Sequence, residues 1–243
     1  LSVAFLLPIY QGQARENYLN ESVPNGLGTA FVVPSVLALI TFTKGQGPGL
    51  WFALLVLLFS FFGLLDDTLG SVEQKGFRGH FSQRTLSTGA LKALGGGISS
   101  LIIAALCLEG WLDVLISAAI IALSANLLNL LDLRPGRSGK AFLFLALPLF
   151  VFPGGTRISL GYLVSAVVGY LPWDLQRKVM MGDTGSNPLG AALGFVAVWH
   201  LTLVVKAILL TVFLSLNILG ERLSFSKIIA SNRFFHFLDQ LGR

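Results

Sequence analysis

Charged side chains are scarce in this chain of 243 residues, since Asp, Glu, Lys and Arg together make up only 12% of it. A water-soluble domain carries about 25% charged residues, so the charge needed to cover a water-facing surface is missing. Hydrophobic residues account for 54% of the sequence, and the mean hydropathy is +0.76. This composition excludes a soluble enzyme and a disordered protein, and it places most of the chain in lipid.

Cysteine is nearly absent as well, because Cys107 is the only one. A single thiol cannot form an intramolecular disulfide, and there is no Cys-x-x-Cys metal motif, so a secreted disulfide scaffold is excluded. A basic stripe interleaved with aromatic residues is also missing, so the net charge of +5 does not indicate a nucleic-acid partner. In a membrane protein, an excess of Lys and Arg first reports orientation.

Apolar runs that are candidates for membrane spans recur along the chain. A spanning helix needs about 20 apolar residues, with about 17 as the lower end. The runs are Leu27–Thr43, Leu50–Leu65, Leu94–Leu108, Leu112–Leu131, Lys140–Phe152, Arg157–Leu171 and Pro188–Leu219. The last run is too long for one crossing, and we divide it into two spans at His200–Lys206. The short apolar stretch Leu1–Tyr10 is interpreted as the end of a helix that begins before Leu1. We therefore predict an all-α integral membrane protein, a polytopic bundle of about nine to ten transmembrane helices.

Lys and Arg divide unevenly between the two sides of such a bundle. One set of connections holds fourteen of them, whereas the other holds only Lys44, Arg157 and Lys206. Because cytoplasmic loops carry the excess of Lys and Arg, the richer set is predicted to be cytoplasmic. The expected organisation is a single polytopic domain over residues 1–243. Its cytoplasmic parts are loops at about 11–26, 66–93, 132–140 and 172–187 and a short tail at 221–243.

Four aspartates stand at or beside helix ends on this predicted cytoplasmic side. They are Asp66 and Asp67 in LLDDTLG, Asp132 in NLLNLLDLRPGR and Asp183 in MGDTGSNPLG. Carboxylates close to hydrocarbon are costly, and they usually pair, bind a cation or line a site. Mg²⁺ binds through one or two carboxylates together with substrate phosphates. Carboxylates, a metal and surrounding Lys and Arg residues are the recurring parts of phosphoryl-transfer sites.

Each of these residues also has an ordinary structural interpretation. An aspartate at a helix end often caps the helix, and basic loop residues can set topology or contact anionic lipid headgroups. Asn126 and Asn129 can form hydrogen bonds between helices, and Gly190 and Gly194 form a GxxxG pattern typical of helix packing. The functional interpretation is favoured because all four acidic sites fall on one side of the membrane.

Three motifs resemble, in order and spacing, the polyprenyl-phosphate N-acetylhexosamine-1-phosphate transferases. This superfamily, glycosyltransferase family 4, includes relatives of phospho-N-acetylmuramoyl-pentapeptide translocase. The motifs are GLLDDTLG, NLLNLLDL and MGDTGSNPLGAALG, and weaker likenesses are VPNGLGTAF and the basic stretch 75–92. The resemblance implies transfer of a sugar-1-phosphate from a UDP-sugar to polyprenyl (undecaprenyl) phosphate, with release of UMP and use of Mg²⁺. It also implies a role in cell-envelope glycan synthesis at the bacterial plasma membrane.

The resemblance assigns roles to individual residues. Asp66, Asp67 and Asp183 would be catalytic, with Asp183 as a metal ligand and one carboxylate of the Asp66–Asp67 pair as the base for the lipid phosphate. Because successive side chains at a helix end point about 100° apart, only one of the pair can face the phosphates, and we favour Asp66 as the base and Asp67 as the second metal ligand. By the same motifs, Asn129, Asp132 and Lys92 would contact substrate. Further candidate substrate contacts, chosen from their charge and their place in the cytoplasmic loops and not from the resemblance, are Lys75, Arg134, Arg137 and His80. The expected partners are polyprenyl phosphate, the UDP-sugar and the lipid bilayer, and homodimer formation is left open.

Two departures from the family pattern concern the sugar donor. After NLLD the family commonly continues with Gly-Leu-Asp-Gly, whereas this chain continues with Leu133–Arg137 and has no second Asp. The late histidine cluster of the pentapeptide translocase is also absent from the sequence. From the missing histidine cluster we expect a simple UDP-N-acetylhexosamine donor, whereas Arg134 and Arg137 would favour a more acidic one. The alternative is a non-catalytic relative that acts as a lipid-handling or transport protein.

Overall fold

The fold is a bundle of α-helices with one short hairpin, in a computed structural model that describes residues 2–10, 14–43, 47–70 and 88–243. The helices are α1 (Ser2–Tyr10), α2 (Thr29–Thr43), α3 (Pro48–Leu69), α4 (Thr88–Cys107), α5 (Trp111–Leu131), α6 (Arg137–Leu149), α7 (Gly155–Leu175), α8 (Gly182–His200), α9 (Leu203–Arg222), α10 (Phe225–Ser231) and α11 (Arg233–Gln240). Strands β1 (Ala14–Glu16) and β2 (Ser22–Pro24) pair antiparallel, with Arg15 opposite Val23.

Several of these helices are suited to a membrane. Within the described ranges, α3, α4, α5, α7 and α9 are each long and apolar enough to cross a bilayer, and α2 is a shorter apolar helix. The predicted all-α membrane class is therefore confirmed. The predicted count of about nine to ten crossings stays a prediction.

Two helices that carry site motifs, α3 and α8, extend beyond the apolar runs that mark them in the sequence. The run of α3 ends at Leu65, but the helix continues to Leu69 and so includes both aspartates of the DD motif. In the same way, α8 begins at Gly182, ahead of the apolar stretch that starts at Pro188. Hydropathy marks the part of a helix that is apolar, whereas backbone hydrogen bonding continues into the polar residues that follow. These polar extensions carry the candidate site.

Helix α8 lies at the centre of the bundle, with every residue from Thr184 to Val198 buried. Its glycines allow α5 to approach very closely. A Cβ atom added to Gly190 would lie 2.1 Å from the backbone oxygen of Ser124, and one on Gly194 would lie 2.3 Å from the Ser124 hydroxyl. That hydroxyl donates a hydrogen bond to the Gly190 carbonyl at 2.8 Å. The GxxxG pattern therefore serves helix packing.

We predict that Gly190→Ala destabilises the protein. The new methyl group has to displace backbone rather than a flexible side chain, and overpacking of this kind typically costs about 1–3 kcal/mol. Thermal unfolding in detergent, followed by tryptophan fluorescence, measures the loss. Gly169→Ala in α7 is the matched control, because a Cβ there meets nothing within 4 Å. Equal melting temperatures for the two variants would contradict the packing argument.

Candidate functional site

Polar side chains from four helix ends meet at one end of the bundle, which we call the site end. Asp66 and Asp67 belong to the last turns of α3, and Lys92 lies near the start of α4. Asn129 is in the last turn of α5, and Asp183 is in the first turn of α8. The three motifs that stand far apart in the sequence are thus brought together, with a lysine among them.

Lys92, Asp183 and Asn129 form a connected polar network. The Lys92 ammonium group makes an ion pair with Asp183 Oδ2, and it lies 3.9 Å from Asp66 Oδ2. With the Asn129 amide oriented so that both of its polar atoms are satisfied, its nitrogen donates to Asp183 Oδ1 at 2.9 Å and its oxygen accepts from Lys92 at 3.0 Å. The side chains of Lys92, Asp66 and Asp183 are 22%, 24% and 17% exposed. The network is therefore held by protein and still open to a ligand.

Asp67 makes different contacts from its neighbour Asp66. Its buried carboxylate accepts hydrogen bonds from the Thr184 backbone N–H at 2.9 Å, the Thr184 hydroxyl at 2.6 Å and the Asp183 N–H at 3.2 Å. The Asn25 amide donates to it at 3.0 Å. The first N–H groups of a helix have no partner within the helix, and a negative charge is favoured at that end. Asp67 thus caps the start of α8 from the end of α3.

The backbone around this cap is tied together by the N-terminal segment. Met180 donates its N–H to the Pro24 carbonyl at 2.8 Å, and Leu27 donates to the Met180 carbonyl at 3.1 Å. The Arg15 guanidinium donates to the Asp67 carbonyl at 2.7 Å and to the Gly70 carbonyl at 3.2 Å. The last carbonyls of a helix lack partners within the helix. Arg15 of the β1–β2 hairpin therefore caps the C-terminal end of α3.

Asp132 lies just beyond the last turn of α5 and is half-buried. Within the described part of the chain, its carboxylate has no hydrogen bond or ion pair. Desolvation raises the pKa of Asp132 well above its usual range, and the nearby charges of Asp174 and Asp183 raise it further. A carboxylate among like charges is stabilised by a cation or a proton. The role of Asp132 in a nucleotide or cation site stays a prediction.

The two arginines that follow Asp132 contact other segments of the protein. The Arg137 guanidinium donates to both oxygens of Asp239, at 2.7 and 3.1 Å, and to the Ser226 hydroxyl at 2.9 Å. The Arg134 guanidinium lies 4.0 Å from the centre of the Tyr18 ring. Asp239 and Ser226 thus engage the Arg137 guanidinium without a substrate, whereas Arg134 contacts only an aromatic face. Substrate binding by the two arginines stays a prediction that none of these contacts supports.

Lys75 and His80, the remaining predicted substrate contacts, lie outside the described residues. Arg15, Asn25 and Thr184 position the site but were not assigned a role from the sequence. Asn25 and Thr184 stand within quoted motifs, VPNGLGTAF and MGDTGSNPLG, which is a signal for their importance. Arg15 stands in no motif, because its role depends on a contact with carbonyls about fifty residues away.

The oxygen donors of the site suit a hard cation. Asp183 and Asp66 supply carboxylates, and Asn129 supplies an amide oxygen, which match the preference of Mg²⁺ for one or two carboxylates together with substrate phosphates. The Asp67 carboxylate is already occupied by four donors. Across the described ranges, no group of three or more His, Cys, Asp or Glu residues is arranged to hold a metal without other ligands. The donor set thus fits a cation that also binds substrate.

The sequence profile of Glycosyl transferase family 4 matches residues 49–201, which is more than half of the chain. The chain belongs to glycosyl transferase family 4. Among curated proteins it is similar to the phospho-N-acetylmuramoyl-pentapeptide-transferase of Nautilia profundicola, with 24% identity over 89% of this chain. Proteins of the same name from Wolbachia pipientis and Moorella thermoacetica are 26% and 30% identical, over 73% and 48% of this chain. The chain covers 70%, 60% and 39% of the lengths of these three relatives.

This match confirms the family predicted from the sequence motifs. The matched residues include both aspartates of α3, Asp132 and Asp183, together with Lys92. The residues that meet at the site end thus lie within the part of the chain that defines the family.

We predict that Asp67→Asn destabilises the protein whereas Asp66→Asn does not. The amide of the first variant turns a donor toward the N–H and hydroxyl groups that now share the carboxylate. An unsatisfied buried polar group costs about 1–3 kcal/mol. Thermal unfolding of both variants in detergent checks this, with Asp66→Asn as the matched control one residue away. A melting temperature for Asp67→Asn equal to that of wild type would refute the capping role.

Proposed function

We propose that this chain transfers a sugar-1-phosphate from a UDP-sugar to polyprenyl phosphate and releases UMP. One observation carries the proposal: two carboxylates, a lysine and an asparagine amide form a partly exposed network at the end of a membrane bundle. Membership of glycosyl transferase family 4 and the names of the similar proteins support it.

The reaction requires the meeting of two anions. An oxygen of the lipid phosphate attacks the phosphorus that bears the sugar, a new P–O bond forms, and the bond to the UMP oxygen breaks. The nucleotide diphosphate and the lipid phosphate repel one another, so catalysis depends on positive charge placed between them. Lys92 is suited to this task, since it stands between Asp66 and Asp183 and is accessible from solvent.

Asp183, with the amide oxygen of Asn129, would hold Mg²⁺ at this place. The ion, when bound, supplies further neutralisation of the diphosphate charge. We propose Asp66 as the acceptor of a proton from the lipid phosphate, because it is the more accessible member of the α3 pair. Asp67 is then a positioning residue, since its carboxylate holds the start of α8 and so aims Asp183.

We propose that the site end faces the cytoplasm of a bacterium, at the plasma membrane. The loops at this end carry most of the Lys and Arg residues, which favours the cytoplasmic side. A polyprenyl chain lies in the bilayer while its phosphate reaches the surface, and the UDP-sugar arrives from water. A network at helix ends is accessible to both substrates.

The proposed donor is a simple UDP-N-acetylhexosamine, such as UDP-GlcNAc. Hydrogen bonds to other segments of the chain hold the 133–137 loop, where the family commonly has a second acidic residue. Gly136 donates its N–H to Asp174 Oδ2 at 3.1 Å, and Arg137 is bound by Asp239. Because these contacts fix the loop, we do not expect it to supply the larger surface that a peptide-bearing donor needs.

We predict UMP release when purified protein is supplied with undecaprenyl phosphate, Mg²⁺ and UDP-GlcNAc. The value of kcat/KM should exceed that for UDP-MurNAc-pentapeptide measured side by side. A higher kcat/KM for the pentapeptide donor would contradict the donor assignment but would still support the proposed reaction. Absence of UMP with every UDP-sugar in a panel would reject the reaction and favour the lipid-handling alternative.

We predict that Asp183→Asn lowers turnover by about 100-fold or more, because it removes a ligand and a charge that act at the phosphates. Excess EDTA should also abolish turnover. Glu109→Gln is the matched control, since this exposed carboxylate precedes α5 at the opposite end of the bundle. Melting temperatures separate a loss of chemistry from a loss of folding. Wild-type turnover in Asp183→Asn would remove this residue from the mechanism.

A further inference from the structure

The last helix, α11, separates its polar and apolar residues completely. Successive positions on a helix are about 100° apart, which groups the eight residues of α11 into two faces. The apolar face consists of Phe234, Phe235, Phe237 and Leu238. The polar face consists of Arg233, His236, Asp239 and Gln240. Such a division is typical of a helix at the boundary between a polar and an apolar medium.

The polar face of α11 is the one held by the protein. Asp239 is 8% exposed, and its carboxylate accepts hydrogen bonds from Arg137 and Arg243. Burial raises the pKa of Asp239, but the hydrogen bonds and charges of the two arginines outweigh it and lower the pKa overall. The Lys140 ammonium group donates to the carbonyls of Leu238 and Asp239 at 2.8 and 2.7 Å.

The apolar face of α11, by contrast, is open. Phe234 is 65% exposed, Phe235 51%, Phe237 62% and Leu238 40%. Leu241, just past the helix, is 53% exposed. A water-soluble protein turns the apolar face of a helix inward, whereas here the ion pairs hold that face outward. A contiguous apolar surface of this kind marks a site that another apolar phase covers.

Position and charge indicate that lipid is the covering phase. Helix α9 is a candidate membrane span that ends at Arg222, so α10 and α11 follow directly from a bilayer surface. Arg222, Lys227 and Arg233 are exposed around them. These cations complement anionic lipid headgroups. The same cations would repel one another across a symmetric contact between two copies, which disfavours a dimer interface here.

We propose that α11 lies in the plane of the membrane interface. Its apolar face is embedded among anionic lipids, as in other in-plane amphipathic helices. Its polar face binds Arg137 and so fixes the 133–137 loop beside Asp132 relative to the bilayer surface. The placement of α11 is independent of the reaction proposed above, because it follows from the exposed aromatic face, the Asp239 contacts, the position after α9 and the exposed cations.

Fluorescence quenching at single cysteines tests the proposal. Because Cys107 is the only cysteine, Cys107→Ala provides the background for Phe234→Cys on the apolar face. Gln240→Cys on the polar face is the matched control, since Gln240 is also exposed. An environment-sensitive fluorophore is attached to each variant of the full chain in nanodiscs of phosphatidylcholine and phosphatidylglycerol. The quenchers are aqueous iodide and a lipid that carries a nitroxide near its headgroup.

We expect the lipid nitroxide to quench the label at position 234 several-fold more than the label at 240, and iodide to show the opposite order. Removal of phosphatidylglycerol should weaken the lipid quenching at 234. Phe237→Cys, on the same face, is a second reporter in case one substitution disturbs the helix. Equal iodide quenching at 234 and 240 would overturn the proposal. So would protection at 234 that arises only when several chains share a disc, because a second copy would then cover the face.

Discussion

The carboxylate of Asp67 joins two helices that are far apart in the sequence, and the rest of the site depends on that junction. Its two oxygens accept from the first N–H groups of α8, from the Thr184 hydroxyl and from the Asn25 amide. The end of α3, the start of α8 and the segment after β2 are thereby held at one point. As a result, the side chain of Asp183, in the first turn of α8, points toward Lys92.

The two adjacent aspartates of the DD motif have different roles, because they lie on different sides of α3. Because their side chains are about 100° apart on α3, one faces the backbone of α8 and the other faces the open network. The buried member satisfies donors that have no other partner, whereas the exposed member is available to a ligand. Two adjacent aspartates on one helix thus provide both a rigid structural contact and a group that is free to react.

Much of this arrangement follows from the sequence, and the part that does not has physical reasons. Apolar runs locate the helices because lipid selects the side chains that face it. Strict alternation of crossings then places the motifs of α3, α5 and α8 on one side. The partner of Arg137 is not predictable in this way, because Asp239 is about a hundred residues away and the contact depends on how α10 and α11 fold back. The end of α3 also extends beyond its apolar run, so Asp66 and Asp67 belong to a helix rather than to a loop.

The backbone hydrogen bonds between residues 24–28 and 180–181 have a consequence for the order in which the protein folds. Pro24, Leu27 and Gly28 exchange backbone hydrogen bonds with Met180 and Met181, so the earliest helices cannot complete their contacts until residues 180–181, directly ahead of α8, have been synthesised. During that interval the Asp67 carboxylate and the Asn25 amide lack the α8 partners that hold them in the finished protein. A chain arrested before Gly182 would therefore lack the Asp183 and Thr184 donors that hold the Asp67 carboxylate at the junction of α3 and α8.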